Sequence, residues 1–252
     1  LIHVRGSKSG TYFIDNKMVI RRELKTKEMP GNAVYPAWHP SGKYVAFSSN
    51  MIFSVIHMHS DMNLELYDRY SILVIFDIEK NEISVCGKNY KGNFMETYPV
   101  WSPDGKYLYY CRTSQVKPGF DYRQVKYDVA RMSFDKEKGI FGSPEVILNA
   151  QVLNKSASFP AISPDGLYLV ATLHDFGTFP NWHREADLYS LSLKNGKLKK
   201  MSLNSMETES YSSWSSNGNW LVFSSKRGDG LTSRPYFAYF ANPDSTGKPF
   251  VL

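Results

Sequence analysis

One strand–turn–strand signature recurs four times along the chain, and this repetition constrains the fold more than any other feature. Its clearest copy reads Tyr-Pro-Val-Trp-Ser-Pro-Asp-Gly-Lys-Tyr-Leu. The four copies occupy residues 35–45, 98–108, 159–169 and 211–221. They begin about 50 to 65 residues apart, and a period of this size indicates a repeat architecture in which each repeat is one supersecondary unit.

The centre of each copy, Ser-Pro-Asp-Gly or a close variant, predicts a type I turn. Proline presets φ at the second position, Asp or Asn fits the third, and glycine takes the positive φ that follows. A short strand ends before each turn, and an alternating strand of aromatic and aliphatic residues follows it. We label these two strands A and B.

A second hairpin follows strand B in every copy. Its turns carry Gly or Asn, as tight hairpin turns require, and they lie near residues 79–81, 136–139, 194–196 and 244–248. We label the flanking strands C and D. Four antiparallel strands in each repeat indicate a β-propeller blade. An ordinary β-sandwich would not explain why the same turn recurs at regular intervals along the sequence.

The N-terminal residues complete the blade count. Residues 1–5, 11–15 and 18–24 fit strands B, C and D of an earlier blade without its strand A. We expect the natural chain to extend upstream of Leu1, because an unpaired inner edge favours aggregation; the alternative is a ring that is imperfectly closed. The prediction is one all-β domain over residues 1–252, a propeller of five four-stranded blades with the first incomplete. The predicted blades cover approximately residues 1–30, 31–90, 91–150, 151–205 and 206–252.

The repeated unit resembles that of the TolB-like, WD-repeat-like propellers over residues 31–252. This resemblance implies a bacterial periplasmic or otherwise extracytoplasmic location, and partners among the proteins and peptides of the cell envelope. Two copies depart from the pattern: His39 and Ser41 replace Ser and Asp, and Ser212 and Ser216 replace both prolines. Larger envelope proteins join such a propeller to a c-type haem segment, but no Cys-x-x-Cys-His occurs here, so no cofactor is expected.

Composition excludes several classes of protein. The formal net charge is +6, but the basic residues are scattered among 24 acidic ones, which disfavours nucleic-acid binding. Cys86 and Cys111 both fall in apolar strands and are predicted to be buried free thiols. No apolar run approaches the roughly 18 residues of a membrane span. We expect a monomer.

Strand parity predicts which face of the propeller is functional. The A–B and C–D turns lie on one face of the disc, and the B–C and D–A connections lie on the other. Every long connection in the sequence is B–C or D–A, and long loops carry function more often than tight turns do. The B–C connections are predicted at residues 50–70, 114–125, 174–184 and 226–234. We therefore expect binding on the face with the B–C loops.

These loops contain basic and aromatic residues of the types that dominate interfaces. A ring of arginines just before strand C would suit an acidic peptide, and two aromatic pieces at residues 67–70 and 179–184 could anchor a partner. The candidate binding residues are Arg69, Tyr70, Arg123, Trp182, His183, Arg184 and Arg234. The alternatives are that the arginines pair with Asp68, Asp121, Glu185 and Asp229, and that the aromatic rings pack on their own blades.

The candidate metal ligands are His57, His59 and Asp61. In an extended segment, period two places all three side chains on one side, where they could share a metal ion. His174 and His183 lie in another loop of the same face. The alternative is that these histidines bind no metal.

No catalytic signature is present: the sequence lacks a nucleophile elbow, a His-Glu-x-x-His motif, a phosphate-binding loop and a dinucleotide fingerprint. We therefore predict a non-catalytic module that binds a protein or peptide of the envelope. One alternative is an enzyme: propellers with this repeat occur in oligogalacturonide lyases, which hold a metal through histidines, and beside prolyl-oligopeptidase catalytic domains. Another is a receptor that stacks a sugar or small ligand on the Trp and Tyr residues of its loops.

Overall fold

The computed structural model describes residues 2–4, 10–14, 17, 19–56, 64–86, 93–116 and 119–251. These residues form five antiparallel sheets arranged as a propeller ring, and the first sheet has three strands, so the predicted fold class is confirmed. No helix in the described part of the chain is long and apolar enough to cross a membrane.

The sheets follow one another along the chain, and we number them blades 1 to 5. Blade 1 contains β1 (Ile2–Val4), β2 (Gly10–Ile14) and β3 (Ile20–Glu23). Blade 2 contains β4 (Ala33–Trp38), β5 (Tyr44–Ile56), β6 (Leu64–Asp77) and β7 (Glu82–Val85). Blade 3 contains β8 (Phe94–Trp101), β9 (Tyr107–Ser114), β10 (Asp128–Asp135), β11 (Ile140–Phe141) and β12 (Glu145–Leu148). Blade 4 contains β13 (Ser156–Ile162), β14 (Tyr168–His174), β15 (Asp187–Ser192) and β16 (Leu198–Lys200). Blade 5 contains β17 (Glu209–Trp214), β18 (Trp220–Ser225), β19 (Arg234–Asn242) and β20 (Ser245–Thr246).

The A–B turns have the predicted geometry. In blade 3 the Gly105 amide donates to the Ser102 carbonyl oxygen at 2.9 Å, and Gly105 has a φ of +71°. The Ser102 hydroxyl donates to Asp104, and it accepts from the Tyr107 amide, which starts strand B. The Ser102 side chain therefore stabilises both the turn and the first residue of strand B.

The core lies between neighbouring blades, because strand residues alternate between the two faces of each sheet. In β6, Val74 and Phe76 pack toward blade 1, whereas Leu73 and Ile75 pack toward blade 3. Blades 3 and 4 share another buried cluster, and blades 4 and 5 share a fourth. Cys86 and Cys111 are buried free thiols, as predicted.

Candidate functional site

The B–C connection of blade 2 differs from the predicted loop. Residues 50–70 were expected to be a long connection, but β5 continues to Ile56, β6 begins at Leu64, and the two strands pair from Met51–Tyr70 out to Ile56–Leu64. We call the paired residues 51–56 and 64–70 the arm. Its strands are long because β-branched and aromatic residues continue beyond the blade, and these favour extended backbone.

The arm lies against the B–C loops of the next two blades. The ring of Tyr67 stacks on that of Tyr122 in blade 3, with centroids 5.2 Å apart, and Tyr122 contacts Phe176 in blade 4. Glu65 is buried, and its Oε2 lies 3.5 Å from the Nε2 of His183 in blade 4. The arm therefore crosses blade 3 on the B–C face.

His183 is the centre of a buried charged cluster. Its Nδ1 lies 3.0 Å from Glu185 Oε1, so both ring nitrogens face carboxylates. Burial opposes the charged ring, but Glu185 and Glu65 outweigh it and raise the pKa of His183 to about 9. His174 is different, because burial and the neighbouring His183 hold its pKa well below the usual value.

Asp68 is a buried carboxyl at the base of the arm. Its Oδ2 accepts a 2.9 Å hydrogen bond from Asn50, which also donates to Thr97 in blade 3. Burial raises the pKa of Asp68 to about 7, and hydrogen bonds from Asn50 and Thr178 offset part of that shift. Asp68 is thus an internal group of the arm rather than the partner of a rim arginine.

The structure places the candidate arginines in separate local contacts. Arg123 pairs with Asp121 at 2.9 Å, as the alternative anticipated, whereas Arg184 pairs with Glu207 at 2.7 Å rather than with Glu185. The guanidinium of Arg69 lies over the ring of Phe53, and Arg234 is exposed at the start of β19.

The aromatic candidates are more enclosed than an exposed anchor would be. Trp182 lies under the ammonium group of Lys226, with Nζ 3.4 Å from the ring centroid. Tyr70 is half-buried in β6, and His183 is buried. Trp182 and His183 therefore pack within the molecule.

The proposed metal ligands His57, His59 and Asp61 lie outside the described residues. Within the described ranges, no three His, Cys, Asp or Glu side chains are grouped so that they could hold a metal ion. His174 and His183 do come together, with ring centroids 4.9 Å apart. However, His174 Nε2 lies 2.9 Å from the Ser158 hydroxyl, and the nitrogens of His183 face the two carboxylates.

A second feature, not anticipated from the sequence, lies on the axis of the propeller. The first residue of each repeated unit has a φ near +50°, which is rare for aromatic residues, and each is next to a shift in the pairing of strands A and B. Neighbouring rings contact one another, with centroids 4.3 to 4.8 Å apart. We call these four residues the aromatic quartet; they are Tyr35, Tyr98, Phe159 and Tyr211.

The aromatic quartet separates two regions of different chemistry. Toward the B–C face, the Tyr98 hydroxyl donates to the Thr178 carbonyl oxygen, and Ser158 and Asn50 lie among buried polar groups. Toward the A–B turns, the innermost strands line an open cavity of about 670 Å³. Trp101 and Trp214 in its wall donate to the carbonyl oxygens of Ala37 and Ala161 in the preceding blades.

Comparison with known proteins identifies the fold. No family model and no curated protein sequence matches the chain. Among solved structures, TolB from Acinetobacter baumannii aligns with 95% of this chain and 47% of its own, at 15% identity and a TM-score of 0.55. A putative TolB from Agrobacterium tumefaciens aligns with 92% of this chain and 83% of its own, at 15% identity and a TM-score of 0.52. A puromycin-hydrolysing peptidase from Mycobacterium tuberculosis aligns with 92% of this chain and 30% of its own, at 14% identity and a TM-score of 0.56.

These similarities support a TolB-like propeller fold. The chain spans about half the length of the Acinetobacter protein and less than a third of the peptidase. A fold shared at this level of identity is found in proteins of different activity, so the function has to be argued from the surfaces of this chain.

Proposed function

We propose that this chain is a non-catalytic propeller that binds a protein or peptide partner through its B–C face. The observation that carries the proposal is the exposed apolar surface of the arm. In β5, residues 44–50 are all buried, yet beyond them Met51, Ile52 and Phe53 are exposed, and Ile56 is 75% exposed. Contiguous exposed apolar side chains of this kind are typical of interaction sites.

Charge on the same face favours an acidic partner. Arg69 holds its guanidinium over Phe53, 4.9 Å from the ring centroid, so a cation lies directly beside the apolar surface of the arm. Arg234 is exposed at the start of β19, where the B–C connection of blade 5 ends, and the chain as a whole carries a formal charge of +6. An apolar centre with arginines around it matches the composition of energetically important interface residues.

The contacts of the histidines are those of a structural cluster. His183 is held between Glu65 and Glu185, and it fastens the arm to blade 4. Within the described residues, this arrangement favours a binding role for the B–C face over the metal-dependent lyase alternative.

We also propose that residues 1–252 form one domain, that the chain acts as a monomer, and that it is extracytoplasmic with an envelope protein or peptide as its partner. The location and the class of partner rest on the resemblance of the repeated unit to TolB-like propellers. Protease protection in intact and osmotically shocked cells of the source organism would test the location. A protected chain that becomes accessible only after lysis of the inner membrane contradicts it.

Affinity capture from an envelope extract tests the binding face. The native chain is compared with an arm variant, Phe53→Ser with Ile56→Ser, and with a control variant, Ile140→Ser with Leu167→Ser. The control removes two exposed apolar side chains from the opposite face. Circular dichroism confirms that all three chains fold.

The proposal expects one partner that both the native chain and the control retain, and that the arm variant binds at least about tenfold more weakly. Arg69→Glu should weaken the same complex and reduce its dependence on salt. Equal retention by the native chain, the control and the arm variant contradicts the proposal, as does the absence of any retained partner.

A further inference from the structure

The second surface of interest is the cavity on the A–B side of the aromatic quartet. It has a volume of about 670 Å³, which lies within the usual range of roughly 300 to 1,000 Å³ for ligand pockets. Its floor is the aromatic quartet, and its walls come from the innermost strands of blades 2 to 5. We infer that this cavity is a binding site for a small, uncharged, apolar molecule that carries a planar ring.

Charge is the first argument for this class of ligand. Among the described residues that line the cavity, none carries a formal charge, although charged residues make up 21% of the chain. An ionic ligand would lose its hydration without gaining a partner of opposite charge, and that loss is costly. The lining therefore selects against ions and zwitterions.

The second argument is that several polar groups of the wall are already engaged within the protein, whereas the buried hydroxyl of Ser212 has no hydrogen-bond partner. The indole N–H groups of Trp101 and Trp214 donate to backbone carbonyls, and the hydroxyls of Ser102 and Ser215 donate to side chains in their own turns. A proline follows the aromatic residue in three of the four strands, and proline offers no backbone N–H. A sugar would find few partners for its hydroxyls here, so the wall favours an apolar ligand.

The third argument is the arrangement of the aromatic surfaces. Trp38 is 49% exposed and Tyr211 is 59% exposed, and these two residues belong to the first and last of the four strands in the wall. Trp101, the counterpart of Trp38 in blade 3, is 6% exposed because it packs between blades 2 and 3. The open ring of Trp38 and the aromatic floor, of which Tyr211 is the most exposed member, offer edge-to-face and stacked contacts to a planar ligand.

The geometry of the floor is fixed before any ligand arrives. The quartet residues keep a positive φ through the irregular pairing of strands A and B, and each ring contacts the next. A preformed aromatic surface loses little conformational entropy when a ligand binds. Micromolar affinity for a small apolar ligand is therefore the expected order of magnitude.

Two fluorescent probes that differ by one charge provide the test. N-phenyl-1-naphthylamine is uncharged, and 8-anilino-1-naphthalenesulfonate has the same ring skeleton with a sulfonate added. Both are titrated into the full chain, and the dissociation constants are compared. The inference expects saturable one-to-one binding of the uncharged probe and at least about tenfold weaker binding of the anion.

Variants locate the site. Trp38→Ala removes an exposed ring from the wall, and Ser213→Asp adds a charge at an exposed position of the lining. Each variant should raise the dissociation constant of the uncharged probe by about fivefold or more. Trp220→Ala is the matched control, because Trp220 is also partly exposed, at 39%, but does not line the cavity. The arm variant Phe53→Ser with Ile56→Ser is a second control, because it changes the B–C face and should leave the binding of the probe unchanged.

The inference is overturned if the uncharged probe does not saturate, if the anion binds equally well, or if both cavity variants bind like the native chain. Loss of binding in either control variant, with binding kept in the cavity variants, would place the probe elsewhere and would also overturn it. Neither result depends on the partner of the B–C face, so the two proposals fail separately.

Discussion

The Nε2 atom of His39 lies 3.0 Å from the carbonyl oxygen of Gly105 in the neighbouring blade, in the space that a β-carbon at Gly105 would occupy. His39 replaces the serine that the other turns carry at this position, and its Nδ1 still contacts Ser41 within its own turn. One imidazole thus completes the turn of blade 2 and bonds to the turn of blade 3.

Gly105→Ala is therefore expected to destabilise the protein by more than the same change in other turns. The added β-carbon would lie 2.4 Å from His39 Nε2, and alanine is also strained at a φ of +71°. We expect the free energy of unfolding in urea to fall by about 2 to 4 kcal/mol.

Gly42→Ala and Gly166→Ala are matched controls, because both glycines have a φ of +72° and no atom within 4 Å of an added β-carbon. They should lose only about 1 kcal/mol, the cost of the backbone conformation. The excess loss at Gly105 should shrink in a His39→Ser background, and equal losses at all three glycines would show that the His39 contact is unimportant.

Asp68 should make the protein less stable as the pH rises from about 4 to about 7. Burial raises the folded-state pKa to about 7 from 3.8, so between these values the native state holds a proton that the unfolded state has lost. Protonation of Asp68 in the folded state stabilises the protein fully below about pH 4, and this contribution is lost above about pH 7. Asp68→Asn should match the native chain near pH 4 and exceed its free energy of unfolding by about 2 to 4 kcal/mol at pH 8.

Unfolding in urea at several pH values checks this prediction, with Glu137→Gln as the control because the Glu137 side chain is 84% exposed. The quantity of interest is the difference between each variant and the native chain, since other groups titrate in both. A constant difference for Asp68→Asn between pH 4 and pH 8 would argue against a raised pKa.

The Glu65–His183 pair should hold the arm to blade 4. Removing Glu65 leaves His183 with Glu185 as a partner, so the cost should lie below the value of about 3 to 5 kcal/mol that is typical of an uncompensated buried charge. Glu65→Ala is expected to increase amide hydrogen exchange in the arm before it affects the inner strands. Since the pKa of His183 is raised from 6.5 to about 9, the attraction is full below pH 6.5 and is lost as the pH rises through 9, so exchange in the native arm should accelerate there.

Glu79→Ala is a suitable comparison, because its pair with Lys43 is exposed at both ends, and such pairs contribute less than about 1 kcal/mol. Unchanged exchange in the arm of Glu65→Ala would mean that the aromatic contacts of Tyr67 hold the arm alone.

The two cysteines should be unreactive in the folded protein. Burial raises the pKa of both the Cys86 and the Cys111 thiol, and the thiolate is the reactive form. A colorimetric thiol reagent at pH 8 should label neither cysteine in buffer and both in denaturant. Labelling of the native protein at the rate of a small free thiol would contradict their burial.

The propeller fold was predictable because its signals are local. Ser-Pro-Asp-Gly determines the turn within a few residues, and the alternation in residues 107–111 identifies the strand that follows. Repetition then supplies the architecture, since one blade cannot bury its faces without neighbours.

The arm and the aromatic quartet depend on contacts that are distant in the sequence. No turn motif marks where β5 ends and β6 begins, and Glu65 contacts His183 only because the arm of blade 2 extends across blade 3 as far as blade 4. The quartet was hidden for another reason: Tyr and Phe seldom adopt a positive φ, so residue type gives no signal for that conformation. A possible clue was the Tyr-Pro or Phe-Pro step itself, repeated in three strands.

The aromatic quartet also divides the two faces of the propeller by chemistry. The uncharged cavity lies on its A–B side, whereas buried polar groups such as Asn50 and Ser158 lie on its B–C side. The cavity and the arm have no residue in common, so a ligand in the first and a partner on the second are expected to bind without competing.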